Sequence, residues 1–298
     1  MKSYSEYLQE IFPGVKVQKI SVNAGFSCPN RDGTIGTGGC SYCRNDSFSP
    51  SYCMNADLVK VQIQNGKQFF ARKYPQMKFL AYFQSYTNTY GRDVAQLRKL
   101  YDEALECEDV VGLVIGTRPD TLPDEVLEML GDINHSKPVF LEIGAETSND
   151  ETLRRINRHH TWQEVKDAVT RAAAHGLRVG LHLIAGLPGE DPEQILANVD
   201  EACRLPIETL KLHQLQILRD TAICKEYESG DPAIKPFELE EYLNLCVEIC
   251  RRVPERVVIE RFLSQSPPSL VVAPKWGMKN YQFHDQLAKL LKVNNKSK

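Results

Sequence analysis

Three cysteines near the start of the chain have a spacing that could bind iron. Eleven residues separate Cys28 from Cys40, and two separate Cys40 from Cys43. The glycines and the proline between them predict an irregular loop, which can lie close to an inorganic cluster and direct backbone N–H groups at it. Three thiolates can ligate three irons of a [4Fe–4S] cluster and leave the fourth iron open for chemistry.

A structural zinc site is the alternative for the same cysteines. A Cys-x-x-Cys pair often belongs to a zinc site with four ligands, and Cys53 could supply the fourth here. On the cysteines alone, zinc and an iron–sulfur cluster are about equally favoured. The residues that follow the loop, described below, decide in favour of the cluster.

The composition is that of a globular protein without an overall basic field. The chain has 298 residues, 42% of them hydrophobic and 25% charged, and a net charge of −3, so its charge does not by itself indicate nucleic acid. Nine cysteines are an odd number and too few for a disulfide scaffold, which favours free thiols and ligands in a reducing compartment. We find neither an apolar signal segment nor a run of roughly 18–20 apolar residues, and therefore expect a cytoplasmic protein that does not enter a membrane.

Short apolar strands alternate with helices along residues 1–219. After a first helix at 3–11, we predict strands at 15–22, 79–83, 110–115, 138–143, 177–185 and 209–217. The helices between them are predicted at 56–74, 93–107, 124–133, 161–175 and 192–203. This alternation is typical of an α/β fold with a parallel sheet, here a partial (β/α)6 TIM-like barrel. Since barrel chemistry takes place at the carboxyl ends of the strands, and the unusual polar clusters follow those ends, we expect the site there.

Residues 220–298 depart from this alternation. They predict an α+β extension packed on the barrel, with a helix near 238–250, a strand near 257–262 and a last helix near 282–293. Basic and aromatic residues of the extension could form an RNA-binding patch; they are Arg251, Arg252, Arg256, Arg261, Lys275, Trp276, Lys279, Tyr281, Phe283, His284, Lys289, Lys292, Lys296 and Lys298. An amphipathic helix with a solvated lysine face explains the terminal lysines nearly as well.

The cysteine loop after the first strand of a partial barrel resembles the radical S-adenosylmethionine (radical SAM) superfamily. Most members have a shorter first gap between the cysteines, and the longer gap here resembles the elongator-type branch. The segment Asn23–Gly33 reads NAGFSCPNRDG and is most similar to the bacterial YhcC/YtqA-like group. The resemblance extends over residues 15–275.

This resemblance implies which residues contact the cofactors. Cys28, Cys40 and Cys43 would ligate one [4Fe–4S] cluster. Eight further residues would contact SAM: Gln84, Ser85, Tyr86, Glu146, Arg158, His182, Leu215 and Gln216. Among these, Glu146 would bind the ribose hydroxyls and Arg158 the SAM carboxylate, a geometry that suits a guanidinium. His182 could instead be an ordinary buried histidine.

Substrate contacts are predicted for Arg118, Arg154 and His213. Either arginine could hold a substrate carboxylate near the reacting carbon. For Arg118 the alternative is a salt bridge with Asp120. The sequence identifies no catalytic acid or base.

The resemblance also implies the chemistry. A donor such as flavodoxin or ferredoxin would reduce the cluster, SAM would be cleaved to a 5′-deoxyadenosyl radical, and the radical would take a hydrogen from the substrate. The group is implicated in converting a carboxymethylaminomethyl group to aminomethyl at C5 of the transfer-RNA wobble uridine, so tRNA is the expected substrate. The alternatives are a radical SAM enzyme acting on a small molecule and a non-enzymatic zinc or iron–sulfur module. No second cluster is expected, because Cys246 and Cys250 are better explained as buried structural thiols.

Overall fold

The computed structural model describes residues 2–53, 58–71 and 76–296. The strands in these ranges are β1 (Val17–Val22), β2 (Lys78–Phe83), β3 (Val110–Thr117), β4 (Val139–Glu146), β5 (Arg178–Ala185), β6 (Thr209–Gln214), β7 (Ile217–Leu218), β8 (Val258–Arg261) and β9 (Val271–Ala273). The α-helices are α1 (Tyr4–Ile11), α2 (Val59–Ala71), α3 (Val94–Leu105), α4 (Asp124–Asn134), α5 (Asp150–Arg155), α6 (Trp162–Ala174), α7 (Pro192–Arg204), α8 (Ala222–Glu228), α9 (Leu239–Arg252) and α10 (Asn280–Lys296).

Seven of these strands form one parallel sheet, in the order β1-β2-β3-β4-β5-β6-β8. The sheet curls into a half-barrel with helices on its outer face. The predicted fold class is therefore confirmed, and the strand predicted in the extension adds a seventh strand to the same sheet. That strand, β8, pairs with β6 through Val258 opposite Thr209 and Ile259 opposite Leu210.

The observed bounds differ from the predicted ones by up to three residues, and at one strand the difference changes the strand pairing. The strand predicted at 209–217 ends at Gln214, and Ile217–Leu218 instead pairs antiparallel with Val271–Ala273. The helix predicted at 56–74 is observed over Val59–Ala71. Residues 56, 57 and 72–74 of that prediction lie outside the described residues.

Burial on both faces explains the apolar strands. Every residue of β4 is buried, because helices cover the outer face of the sheet and the residues inside the half-barrel cover its inner face. On the outer side, Leu141 and Ile143 belong to one large core with helix residues such as Leu127 and Val165. Full burial of such a side chain is worth about 1.5–3 kcal/mol relative to its exposure.

Reciprocal side-chain caps fix where several helices begin. Ser3 with Glu6, and Thr161 with Glu164, form capping boxes at the starts of α1 and α6. Such a cap satisfies backbone N–H groups that have no partner within the helix. In the described ranges, no helix combines the length and the apolar character needed to cross a lipid bilayer.

The terminal helix α10 packs on the extension through aromatic rings. The ring of Tyr242 on α9 lies 5.4 Å from Trp276 and 5.6 Å from Phe283, between ring centroids. Phe283 is only 1% exposed, whereas Tyr281 is 62% exposed. Phe283 thus belongs to the core and is not available to stack on a nucleotide base, which corrects its place in the predicted patch.

We expect Phe283→Ala to lower the free energy of unfolding by about 3–5 kcal/mol, because it removes a fully buried ring. Tyr281→Ala, a ring of similar size on the same helix, should change it by less than about 0.5 kcal/mol. Urea unfolding followed by circular dichroism measures both. Equal effects of the two substitutions would contradict the packing of α10 on α9.

Candidate active site

A cavity of about 400 Å³ lies at the carboxyl ends of the sheet strands. All three cysteines of the loop line it. Most of the other residues predicted for the site line it as well, namely Gln84, Tyr86, Arg118, Glu146, Arg158, His182, His213, Leu215 and Gln216. Residues from six strand ends and from the cysteine loop therefore meet at one place, as the barrel geometry predicts.

Two predicted residues lie outside the cavity wall. Ser85 is buried behind it, with its hydroxyl 3.3 Å from that of Ser49. Arg154 is exposed on α5. The structure thus does not bring Arg154 to the cavity, and its predicted substrate contact has no geometric support.

Two asparagines fasten the cysteine loop to the segment after α5. Asn30 Nδ2 donates to the Asn157 carbonyl at 2.5 Å, and Asn157 Nδ2 donates to the Gly39 carbonyl at 2.8 Å. A Cβ at Gly36 would lie 2.4 Å from Asn30 Oδ1, so only glycine permits this close approach. Hydrogen bonds at Asn30 and at Gly39 thus hold the loop at two separate points.

The sulfur of Cys40 receives hydrogen bonds from two side chains. Asn30 Nδ2 and Arg158 Nη1 each donate to Cys40 Sγ at 3.5 Å. Arg31 donates from Nη2 to the Cys43 carbonyl at 2.8 Å. Burial, together with the neighbouring Cys40, raises the pKa of the Cys43 thiol to about 11, so binding of a metal there must displace a proton.

Cys53 occupies a different environment. Its side chain is 1% exposed, its thiol donates to the Pro50 carbonyl at 3.3 Å, and it is not part of the cavity wall. It is therefore not placed as a fourth ligand beside the three loop cysteines. Within residues 2–53, 58–71 and 76–296, no three His, Cys, Asp or Glu side chains are gathered as ligands of a single metal ion.

Arg158 connects the cysteine loop to the end of β4. Its Nη2 donates to the Gly144 carbonyl at 2.7 Å and lies 3.2 Å from Glu146 Oε1. The pairing of β4 with β5 is irregular between Gly144 and Glu146, and Glu146 has a φ of +68°. A Cβ at Gly144 would lie 2.7 Å from Arg158 Nη2 and 2.8 Å from Glu146 Oε1. The bulge and the glycine together allow the guanidinium and the carboxylate to meet beside the sulfur.

His160 completes the contacts of Arg158. Arg158 Nε donates to His160 Nε2 at 3.0 Å. Burial, with Arg158 and Arg118 nearby, lowers the pKa of His160 to about 2, so the ring stays neutral and acts as an acceptor. Sequence reasoning missed His160, Asn30 and Asn157, although Asn30 lies within the segment Asn23–Gly33 and the other two lie within two residues of Arg158.

Strained backbone also marks the site. Among the described residues, six non-glycine residues have positive φ, and four of them line the cavity or flank Arg158: Tyr86, Glu146, Asn157 and His159. Such conformations cost free energy and persist where the surrounding structure enforces them, commonly at functional sites.

Arg118 forms the salt bridge that the sequence offered as an alternative. Its Nε and Nη2 each lie 2.9 Å from an oxygen of Asp120, and Nη2 also donates to the Arg158 carbonyl at 2.8 Å. The side chain is 2% exposed, and Nη1 has no partner among the described residues. Arg118 thus lines the cavity with its charge already balanced.

A layer of buried charges lies inside the half-barrel around Glu142. Its Oε1 accepts from Lys19 at 2.5 Å, and its Oε2 accepts from Lys211 at 2.5 Å and from Tyr82 at 2.6 Å. Oε2 also lies 2.9 Å from His182 Nε2. Although burial opposes it, Lys19 and Lys211 hold the pKa of Glu142 well below its usual value, so this carboxylate remains ionised.

Two family models match the chain. Residues 31–202 match the Radical SAM superfamily, and residues 207–292 match the Radical_SAM C-terminal domain. The chain belongs to the radical SAM superfamily. Membership in the radical SAM superfamily implies SAM, a [4Fe–4S] cluster and a reductant.

The radical SAM relatives include proteins of similar length. The chain is 36% identical over 264 residues to protein YhcC of Escherichia coli K12, a match that covers 88% of this chain and 83% of YhcC. It is 32% identical over 276 residues to YtqA of Bacillus subtilis, covering 93% of this chain and 84% of YtqA. A shorter match, 28% identical over 166 residues, covers 55% of this chain and 35% of a tRNA uridine(34) acetyltransferase of Dehalococcoides mccartyi.

A solved structure shares the fold. The archaeal Elp3 of Methanocaldococcus infernus aligns with a TM-score of 0.70 at 16% identity, covering 94% of this chain and 64% of Elp3. At this identity the likeness shows the radical SAM fold alone.

The residues of the cavity fit a radical SAM cluster. Three thiols share one wall, N–H donors point at the Cys40 sulfur, and Arg31 and Arg158 lie beside the thiols. An iron–sulfur cluster with thiolate ligands carries negative charge, which such donors and cations stabilise. Cys28, Cys40 and Cys43 could therefore hold the cluster.

We expect Asn157→Ala to loosen the cysteine loop, because it removes the hydrogen bond that the side-chain amide donates to the Gly39 carbonyl and leaves alanine in a left-handed conformation. Amide hydrogen exchange of residues 36–43 should become roughly tenfold faster. Asn134→Ala is the control, since Asn134 makes comparable bonds to Val139 and Gly176 far from the loop. Unchanged exchange in the loop of the Asn157 variant would contradict the fastening.

Proposed function

We propose that this chain is a radical SAM enzyme that converts the carboxymethylaminomethyl group at C5 of the tRNA wobble uridine towards aminomethyl. The observation that carries the proposal is the shared cavity, in which three cysteines meet Arg158 and Glu146 at the strand ends. A small molecule is the second candidate, because a cavity of about 400 Å³ would also accept one.

In this proposal Cys28, Cys40 and Cys43 ligate one [4Fe–4S] cluster. When bound, the cluster and SAM supply a 5′-deoxyadenosyl radical that can take a hydrogen from an unactivated C–H bond. The proposed first step is removal of a hydrogen from the carboxymethyl methylene. Loss of one electron from the resulting carbon radical would give an imine, and its hydrolysis would release glyoxylate and leave the aminomethyl group, with SAM as the net two-electron oxidant. Asn30 and Arg158 stabilise the Cys40 thiolate through their N–H groups.

SAM would be held by the residues at the strand ends. Glu146 and Arg158 orient each other through their salt bridge, which leaves the carboxylate able to accept from ribose hydroxyls and the guanidinium able to attract the SAM carboxylate. Gln84 and Tyr86 reach the cavity from the loop after β2, and Leu215 and Gln216, placed by the end of β6, would flank the adenosine; His182 would lie near the ribose.

The cavity also offers the surroundings that radical chemistry requires. Packed strand ends line it, and the imidazole of His182 stays neutral because burial and Lys211 lower its pKa. Bound SAM and substrate would exclude water from the cavity, and the residues around them would hold the reacting groups in position. These residues therefore supply binding and orientation rather than the bond-breaking step.

Two observations support tRNA as the substrate. A relative over part of the chain is named a tRNA uridine(34) acetyltransferase. On the surface, the basic patch predicted in the extension retains Lys275, Lys279, Lys292 and the exposed Tyr281. Binding through such a patch should weaken as salt rises, since lysines that contact phosphates release counterions.

Anaerobic incubation with SAM, dithionite and tRNA carrying the carboxymethylaminomethyl group tests the proposal. We expect 5′-deoxyadenosine to form and the aminomethyl nucleoside to appear by mass spectrometry. Formation of 5′-deoxyadenosine with the nucleoside intact would reject the tRNA substrate and favour a small molecule. Absence of 5′-deoxyadenosine would reject the radical chemistry itself.

We expect Cys40→Ala to reduce iron after anaerobic reconstitution from about four per chain to below about one, because the cluster loses a ligand. Cys53→Ala, a buried thiol outside the cavity wall, should keep the iron of the unmodified protein. Iron, sulfide and zinc analyses measure this. One zinc per chain, lost in both variants, would support the zinc alternative instead.

A further inference from the structure

Five arginines line the cavity, and three of them pair with a carboxylate. Arg118 pairs with Asp120, and Arg158 with Glu146. Arg44 pairs with Asp220. Arg31 lies beside Cys28 and Cys43, whose thiolates would face it once the cluster is bound.

The fifth arginine, Arg261 at the end of β8, has no carboxylate partner among the described residues. Its Nε and Nη2 lie 3.1 Å and 2.8 Å from the same atom, His213 Nε2. Because both arginine groups donate, His213 Nε2 must accept, so the proton of the neutral ring is on Nδ1. Burial, Arg261 and His182 hold the pKa of His213 well below its usual value, so this imidazole does not carry a second charge.

The other charges inside the half-barrel balance without Arg261. Lys19 lies 2.8 Å from Glu260, and Lys211 lies 3.2 Å from it, while both lysines also contact Glu142. Two cations thus face two anions. Arg261 is a surplus positive charge on the cavity wall, half-buried and with a neutral ring as its partner.

An irregularity of the sheet places this arginine. The pairing of β6 with β8 shifts between Leu210 and Lys211, so that Lys211 is opposite Arg261 rather than Glu260. A bulge of this kind can direct two consecutive side chains to the same side of a sheet. Glu260 reaches the buried lysines, and Arg261 reaches the cavity.

We propose that Arg261, positioned by His213, binds a carboxylate on the reacting group of the substrate. The inference rests on the proposed function and makes it more specific, since the group to be trimmed there ends in a carboxylate. A guanidinium can hold a carboxylate through two parallel hydrogen bonds, and a partly buried cation without a counter-ion gains most from such a ligand. Arg118 keeps Nη1 free of partners in the described chain, but its charge already faces Asp120.

A comparison of two tRNAs on three proteins tests this. The tRNAs carry either the carboxymethylaminomethyl or the aminomethyl group at the wobble uridine. The reconstituted proteins are the unmodified chain, Arg261→Gln and the control Arg98→Gln, whose arginine pairs with Asp102 on the surface of α3. Equilibrium dissociation constants are measured at fixed salt, and kcat and KM are measured for the carboxylate tRNA.

We expect the unmodified protein and Arg98→Gln to bind the carboxylate tRNA about tenfold or more tightly than the aminomethyl tRNA. Arg261→Gln should reduce this ratio to about one and raise KM. Arg261→Lys keeps the charge without the bidentate geometry and should retain part of the preference for the carboxylate tRNA. The iron content of each variant shows that it has folded.

Two results would overturn the inference: one rejects only the role of Arg261, and the other rejects the proposed function as well. The proposal for Arg261 fails, while the tRNA function stands, in either of two cases. In the first, the unmodified protein converts the carboxylate tRNA but binds both tRNAs equally well. In the second, Arg261→Gln still prefers the carboxylate tRNA. If the unmodified protein neither binds nor converts either tRNA, the proposed function fails and the inference fails with it.

Discussion

One buried guanidinium holds the cysteine loop against the sheet. Arg158 contacts the sulfur of Cys40, the carbonyl of Gly144, the carboxylate of Glu146 and the ring of His160. These groups belong to the loop, to the end of β4 and to the segment after α5. A planar group with five donors can bridge them all, which the single ammonium of a lysine could not do. Removing one partner of a buried ion pair costs about 3–5 kcal/mol, so the loop and the strand end are expected to keep one relative position.

One layer inside the half-barrel is charged, yet its charges are matched, and an apolar cluster with α1 lies beside it. Glu142 alone accepts from two lysines and a tyrosine, which offsets the cost of taking these groups out of water. Such a network is rigid, because each member would be left unpaired if another moved. A cavity above this layer can hold a polar substrate without rearrangement. Arg261 is the cation of the cavity wall that we propose for the substrate carboxylate.

The sequence predicted the elements and the main site because both rest on local signals. Apolar runs that alternate with helical segments predicted six strands and their helices. The cysteine spacing and the family resemblance led to Cys28, Cys40, Cys43, Glu146 and Arg158, all of which line one cavity. What it missed depends on contacts between distant segments. Arg261 and Phe283 were both predicted in the RNA-binding patch. The pairing of β8 with β6 instead places Arg261 in the cavity wall, and the packing of α10 buries Phe283. Asn30 and Asn157 meet across 127 positions of chain, and neither residue carries a local signal of that contact.

The central claim is that the three thiols present a cluster with an open iron to SAM. Low-temperature electron paramagnetic resonance of the dithionite-reduced protein, recorded with and without SAM, tests it most directly. We expect the signal of a reduced [4Fe–4S] cluster whose g values change when SAM is added, because SAM would bind at the open iron. A cluster signal identical in both samples, or no cluster signal in a protein that holds one zinc ion, would contradict it.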